Sequence, residues 1–297
     1  MTPKEQQGMW FGLLGVMTFA VTLPVTRLAV GTPEDPHLSG VFVAMGRAAV
    51  AGILSIVYLW FTRALRPTRS QIKGLGLVAV GVVFGFPLFT SLAMRYVEAS
   101  HASVITGVLP LATAALAAVM NRQRPSLGFW VCAVTGTALV VSFALLRSGQ
   151  AGLALHLADV LLLCAMAFAA VGYAWGSRMS QSMGAEQVIC WALVLSLPVT
   201  VPLAWWSQPT TTVPWTAWAG FAYVCLFSMW LGFFAWYRGL AMGGTVRVSQ
   251  IQLLQPFLGM LVAIPVLGER LDALTVGFGL AVVATVFISR QMAVHRS

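Results

Sequence analysis

GGTVRVSQIQLLQPFLGMLVAIPVLGER, residues Gly243 to Arg270, carries polar side chains where a helix crossing a bilayer should have none. From Val246 to Leu267 the stretch is long and apolar enough to span a hydrocarbon core, yet Ser249, Gln252, Gln255, Pro256 and Gly259 sit inside it. At helical spacing Ser249, Gln252, Pro256 and Gly259 share one side, with Gln255 at its margin, and the opposite side is Ile, Leu, Val and Met. Pro256 donates no N–H, and its ring clashes with the carbonyl four residues back, that of Gln252. A free carbonyl and two side-chain amides are therefore expected near mid-membrane. Polar groups in lipid need partners, so this face lines a cavity, a water path or another helix. A kinked packing helix whose glutamines bond to its neighbours satisfies the same pattern.

Outward from this stretch, 297 residues that are 59% hydrophobic and 8% charged, with a mean hydropathy of +0.87, exclude an ordinary soluble domain. Ten apolar segments follow one another, near 8–30, 38–61, 74–95, 98–119, 127–146, 154–177, 186–206, 215–239, 244–266 and 272–290. The expected fold class is an all-α polytopic membrane protein of ten transmembrane helices, with little chain left for a soluble domain. Orientation follows from Lys and Arg. With the N-terminus inside, Lys4, Arg63, Arg66, Arg69, Lys73, Arg122, Arg124, Arg178, Arg238, Arg247, Arg290 and Arg296 are cytoplasmic, against Arg27, Arg95, Arg147 and Arg270 near the outer side. Both termini are thus expected in the cytoplasm.

The net charge of +9 is explained by this topology and calls for no nucleic-acid partner. The first segment lacks an A-x-A cleavage site and reads as a retained span rather than a signal peptide. Cys132, Cys164, Cys190 and Cys225 fall within expected spans with no zinc spacing, so free thiols are expected, and neither a metal nor a cofactor.

The opening stretch has an echo. LAMRYVEASHASVITGVLPLATAALAAVMNRQRPSLGF (Leu92 to Phe129) overlays, with small gaps, on LAMGGTVRVSQIQLLQPFLGMLVAIPVLGERLDALTVGF (Leu240 to Phe278). Pro110 falls on Pro256, Arg124 on Arg270, and Thr106 takes the place of Gln252, so proline frees its carbonyl too. The halves, 1–150 and 151–297, then hold five spans each. An odd number makes the second copy enter the membrane from the opposite side, the inverted-repeat architecture of secondary transporters, with a site between the halves bordered by two bent helices.

Four pieces of the chain together resemble the drug/metabolite transporter superfamily in its ten-helix EamA-type branch. FAVTLPVTRLAV (Phe19 to Val30) is similar to the family's opening helix, GRAAVAG around Arg47 to its second, and AFAAVGYAWGSRMS ending at Ser180 to its sixth. The best match is GG-x-VRVSQ-x-QLLQP…LGE, Gly243 to Glu269, in the ninth. Phe19, Val21 and Thr22 depart from the residue types usual in the first. The resemblance implies a bundle in which helices 1, 3, 4, 6, 8 and 9 surround a cavity while 5 and 10 lie outside.

Individual residues carry two readings each. Arg47 lies roughly 12 Å deep in its span at 1.5 Å per residue. Its partner is either a substrate carboxylate or, as a structural lock, helix-end carbonyls or an acidic residue. Glu98 with His101, and His156 with Asp159, share first turns of their segments; such pairs relay protons or are simply helix-end groups near water. No carboxylate stands clearly at mid-membrane, so a facilitator, an electroneutral exchanger and a proton-driven pump all remain open. Tyr223, Phe227, Trp230 and Phe234 follow at helical spacing and form one aromatic face, either stacking on an apolar solute or packing against lipid and neighbours. Gly8 with Gly12, Gly81 with Gly85 and Gly239 with Gly243 give small-xxx-small spacing for close helix contacts.

These residues lead to a secondary transporter exporting small neutral or zwitterionic metabolites across the bacterial inner membrane, acting as a monomer with a small-molecule substrate and lipid as its partners. Its expected cavity groups are Thr22, Thr106, Trp230, Gln252, Gln255 and Phe227, with Pro110 and Pro256 as hinges or bends. The absence of a Lys cluster disfavours phosphorylated solutes. Hydrophobic or aromatic amino acids fit best, as for amino-acid exporters of the resembling family; drug-like solutes are the alternative. An intramembrane enzyme is not expected, because no H-E-x-x-H, G-x-S-x-G or paired-aspartate motif lies in the spans. A receptor or scaffold would leave the inverted fives without purpose.

Overall fold

The structure is a computed structural model that describes residues 3–120, 123–147, 157–244, 248–290 and 294–296. Helix falls on each of the apolar segments, because runs of Leu, Val, Ala and Phe satisfy their backbone internally only as helix in lipid. Six helices are long and apolar enough to cross a membrane: α1 (Pro3–Val30), α2 (Gly40–Phe61), α3 (Arg69–Ala93), α6 (Leu157–Met183), α7 (Ala185–Trp206) and α8 (Trp215–Gly243). The others are shorter or broken. The fourth, α4, comes in two pieces, Ala99–Thr106 and Leu109–Met120. α5 is Leu127–Arg147, and α10 is Ala273–Arg290. Between them α9 begins with 3₁₀ turns over Gln250–Leu254 and continues as α-helix over Gln255–Leu267.

Polar residues set the helix starts. The Ser39 hydroxyl accepts from the Phe42 N–H at 3.0 Å to begin α2. Thr68 and Gln71 cap α3 reciprocally. A short sheet also forms: β1 (Gln123–Pro125) pairs antiparallel with β2 (Val294–Arg296), setting Arg124 opposite His295. Three-residue strands carry no readable alternation, so nothing in the sequence announces them.

Helices pack in pairs: α1 on α8, α3 on α6, α2 on α7, α4 on α9 and α5 on α10. The glycine spacings explain the first two. A Cβ on Gly8 would stand 2.3 Å from the Gly243 nitrogen, and one on Gly239 would stand 2.6 Å from that of Gly12. Gly81 meets Gly172 in the same way, at 2.5 Å. These backbones touch, which only glycine permits, and dispersion between close helices replaces the hydrophobic drive that lipid cannot supply.

α3 and α8 share a second feature. Each carries a wide, π-helical stretch at mid-length, Ala79–Gly85 and Val224–Leu231. Such stretches shift the phase of the residues after them and often mark functional positions.

Candidate functional site

Both proline positions interrupt helix as their chemistry demands. Pro110 cannot donate to the Thr106 carbonyl, and the chain there tightens into i→i−3 bonds, Gly107 N–H to Val104 and Val108 N–H to Ile105. Pro256 begins the α-helical part of α9 after the 3₁₀ turns. Those turns correct one expectation, because the Gln255 N–H reaches back to the Gln252 carbonyl, which is therefore not free. The two interruptions face each other. A Cβ on Gly107 would lie 3.4 Å from the Pro256 ring, and one on Gly259 would lie 2.6 Å from the Ser103 hydroxyl.

Around this junction most polar groups are satisfied locally. The Ser103 hydroxyl donates to the Ala99 carbonyl at 2.8 Å, and the Thr106 hydroxyl to the Ser103 carbonyl at 2.8 Å. Thr106 thus spends its donor within its own helix. Gln255 and Ser249 are buried. Gln252 differs: it is 2% exposed, and among the described residues neither its amide nitrogen nor its amide oxygen has a hydrogen-bond partner. Leaving such a buried group unpaired costs about 1–3 kcal/mol.

A second polar cluster joins α1, α2 and α8. Arg47 is 1% exposed and donates through Nη2 to the Ser228 hydroxyl at 2.8 Å. Ser228 in turn shares a 2.8 Å hydrogen bond with the Thr22 hydroxyl. Nε and Nη1 of Arg47 have no partner among the described residues. The expected structural lock is not formed: among the described residues no carboxylate pairs with Arg47, and no helix-end carbonyl accepts from it. Ser228 lies inside the π-helical stretch of α8 and was not singled out in the sequence; a lone hydroxyl among Leu, Phe, Met and Trp was its only signal.

The acidic and imidazole groups also differ from the expected helix-end pairs. His101 of α4 and Asp159 of α6 bond to each other at 2.6 Å, with Asp159 only 1% exposed. The first turns of these helices pack together, so each group leaves water and finds the other instead of its neighbour in sequence. The His101 ring also packs on Phe143 of α5, centroids 5.0 Å apart. His156 lies outside the described residues. Glu98 precedes α4 and lines a pocket with Arg27, Asp35, His37, Glu269 and Arg270.

That pocket belongs to the bundle end which the charge pattern assigns to the outside, and the chain is knotted together there. Arg27 donates to the carbonyls of Met94 and Val97. Arg95 donates to those of Val30 and Leu38, at 3.0 and 2.7 Å through Nη2. Gly268 closes α9 in the left-handed region (φ 69°), which a side chain rarely adopts. The next residue, Glu269, then caps α4: its two carboxylate oxygens accept from Ala99 N–H at 2.7 Å and Ser100 N–H at 2.9 Å. A capping box is legible in sequence because its residues are three apart; this cap spans 170 residues and is not.

The aromatic face expected on α8 is split. Phe227 is 45% exposed and shares an outer stripe with Leu226 and Leu231, while Trp230 turns to Tyr58 of α2, centroids 6.3 Å apart at 90°. The π-helical stretch lies between Tyr223 and Phe234 and breaks the 3.6-residue phase that would have aligned them. Buried instead are Phe233, Trp236 and Tyr237. Phe233 and Trp236 close on Phe19 of α1 (5.0 and 6.2 Å) and Tyr173 of α6 (6.1 and 5.6 Å). Three cysteines are buried and Cys164 is half-buried, all as free thiols. Among the described residues no three His, Cys, Asp or Glu side chains stand together as a metal would need.

The EamA-like transporter family model matches the chain twice, over residues 6–145 and 156–290. The chain is 41% identical over 292 residues to the uncharacterized transporter YdeK of Bacillus subtilis (strain 168), covering 98% of this chain and 99% of that protein. It is 24% identical over 252 residues to an uncharacterized transporter of Archaeoglobus fulgidus, covering 83% and 86%. A solved crystal structure shares its fold with a TM-score of 0.63 at 15% identity, covering 95% of this chain and 96% of that one. With both halves matched and a full-length relative of such identity, the chain belongs to the EamA-like transporter family and is a multi-pass membrane protein.

Proposed function

We propose that the protein is a secondary transporter that exports small neutral or zwitterionic metabolites across the bacterial inner membrane by alternating access. Amino acids with hydrophobic or aromatic side chains are the leading solutes. The observation that carries this reading is Gln252, an amide buried beside two broken helices with both of its polar atoms unpartnered. A group left in that state gains most when a solute supplies the missing donor and acceptor. Transport is the activity named for the relatives.

Alternating access is supported by the packing. Exchanging helices 1 with 6, 2 with 7, 3 with 8, 4 with 9 and 5 with 10 maps the observed helix pairs onto themselves. The two π-helical stretches and the two proline breaks exchange likewise. In this reading residues 1–150 and 151–297 are inverted repeats of five spans, with both termini cytoplasmic. The Glu269 cap joins the two halves and holds the outer end shut, and rocking of one half against the other releases it, while the Arg27 and Arg95 bonds keep the first half's outer loops together. A monomer holds all of these parts.

Counterflow in proteoliposomes preloaded with single amino acids tests the reading, against empty vesicles and with and without a pH gradient. Uptake of labelled phenylalanine only into loaded vesicles is expected. Response to the gradient would bring the buried His101–Asp159 pair forward as a proton site, and indifference would mark a facilitator or exchanger. No carriage of any amino acid by folded protein would overturn the amino-acid assignment and favour drug-like solutes.

A further inference from the structure

Three arginines of this bundle are withdrawn from the surface, Arg27 and Arg95 partly and Arg47 wholly, and they are treated differently. Arg27 and Arg95 each neutralise their donors on two backbone carbonyls. Arg47 is deeper, yet it has only the Ser228 hydroxyl, with Nε and Nη1 left over. Among the described residues no Asp or Glu side chain forms an ion pair with it. A guanidinium retained for structure alone would be expected to have acquired carbonyls or a carboxylate.

We propose that Arg47, with Ser228 and Thr22 beside it, is the carboxylate-binding element of the transport site, and that its ligand is an organic carboxylate or zwitterion with an apolar, ring-sized tail. The inference rests on the transporter reading and names the chemistry of its substrate. The guanidinium fork matches a carboxylate in two-pronged geometry, and the free donors suffice for it. One cation with hydroxyls, and no Lys cluster, suits a monoanion better than a phosphate. Phe19, one helical turn before Thr22 on α1, opens the aromatic group of Tyr173, Phe233 and Trp236, which receives the tail. The closed bundle carries an uncompensated charge at its centre, so a bound carboxylate stabilises closure. Exchange of loaded carrier then runs faster than return of empty carrier.

The test uses the full chain in proteoliposomes and follows labelled phenylalanine uptake driven by internal phenylalanine, 3-phenylpropionate, phenylalaninamide or phenethylamine. The two carboxylates should drive uptake about 30-fold or more better than the amide and the amine. Arg47→Gln should compress that ratio to a few-fold, and Arg47→Lys, which keeps charge without the fork, should fall between. If the wild-type protein carries the amide as well as the acid, or folded Arg47→Gln keeps the discrimination, the Arg47 assignment is overturned while transport stands. If no preload drives phenylalanine uptake, the amino-acid reading falls, and the site is decided by thermal unfolding with 3-phenylpropionate. Stabilisation of the wild type but not of Arg47→Gln supports the site; equal or no stabilisation overturns it.

Discussion

Gln252 shows what one side chain contributes against its own stability. Both its amide atoms are buried without partners, so replacing it with leucine removes a polar group that the fold does not satisfy. Gln252→Leu is expected to raise unfolding free energy by about 1–2 kcal/mol in thermal denaturation while lowering counterflow by about 10-fold or more. Equal flux in the stabilised variant would remove Gln252 from the transport path. Phe227, on the outer stripe, makes the opposite case. Phe227→Ala should leave flux within about two-fold, because an exposed aromatic on a lipid face contributes little to a central site.

At the level of elements, the breaks and caps matter more than helix length. Glu269 satisfies two N–H groups at the start of α4 from the other half of the chain. Glu269→Ala is expected to cost about 1–2 kcal/mol of stability and to make a cysteine at Thr32 or Leu271 react faster with a water-soluble maleimide. Unchanged reactivity would mean that the cap does not hold the outer end. Close glycine contacts give a sharper contrast. Gly8→Ala forces its Cβ into the Gly243 backbone and should cost about 1–3 kcal/mol, whereas Gly76→Ala, with nothing within 4 Å, should be neutral. Thermal unfolding of the two purified variants checks both.

For the whole molecule, the decisive prediction is topological. Single cysteines at Thr32, Thr210 and Leu271 should be labelled from outside intact cells by an impermeant maleimide, and those at Ser70 and Ser182 only after permeabilisation. The positive-inside distribution of Lys and Arg requires this pattern. The reverse pattern would invert the assigned direction of transport, and labelling of Leu271 from the inside would remove α9 as a crossing helix.

Legibility in the sequence followed the range of the interaction. Apolar runs, the Pro110 and Pro256 breaks and the glycine spacings were readable because lipid, proline rings and missing Cβ atoms act on neighbours within a few residues. Depth was readable for Arg47, and its lack of a carboxylate was not. The His101–Asp159 bond, the Arg47–Ser228–Thr22 chain and the Glu269 cap join residues 58, 181 and 170 positions apart, and nothing local specifies such partners. The wide turns of α8 likewise parted the Tyr223–Phe227 pair from the Trp230–Phe234 pair, which a regular helix would have set on one face. The sequence by itself determined a multi-pass helical membrane protein and where its helices break, since bilayer thickness and backbone satisfaction act on every segment alone. Tertiary structure alone decided which polar groups meet at the centre and which of them are left unpaired, because that depends on the phase and pairing of helices distant in the chain.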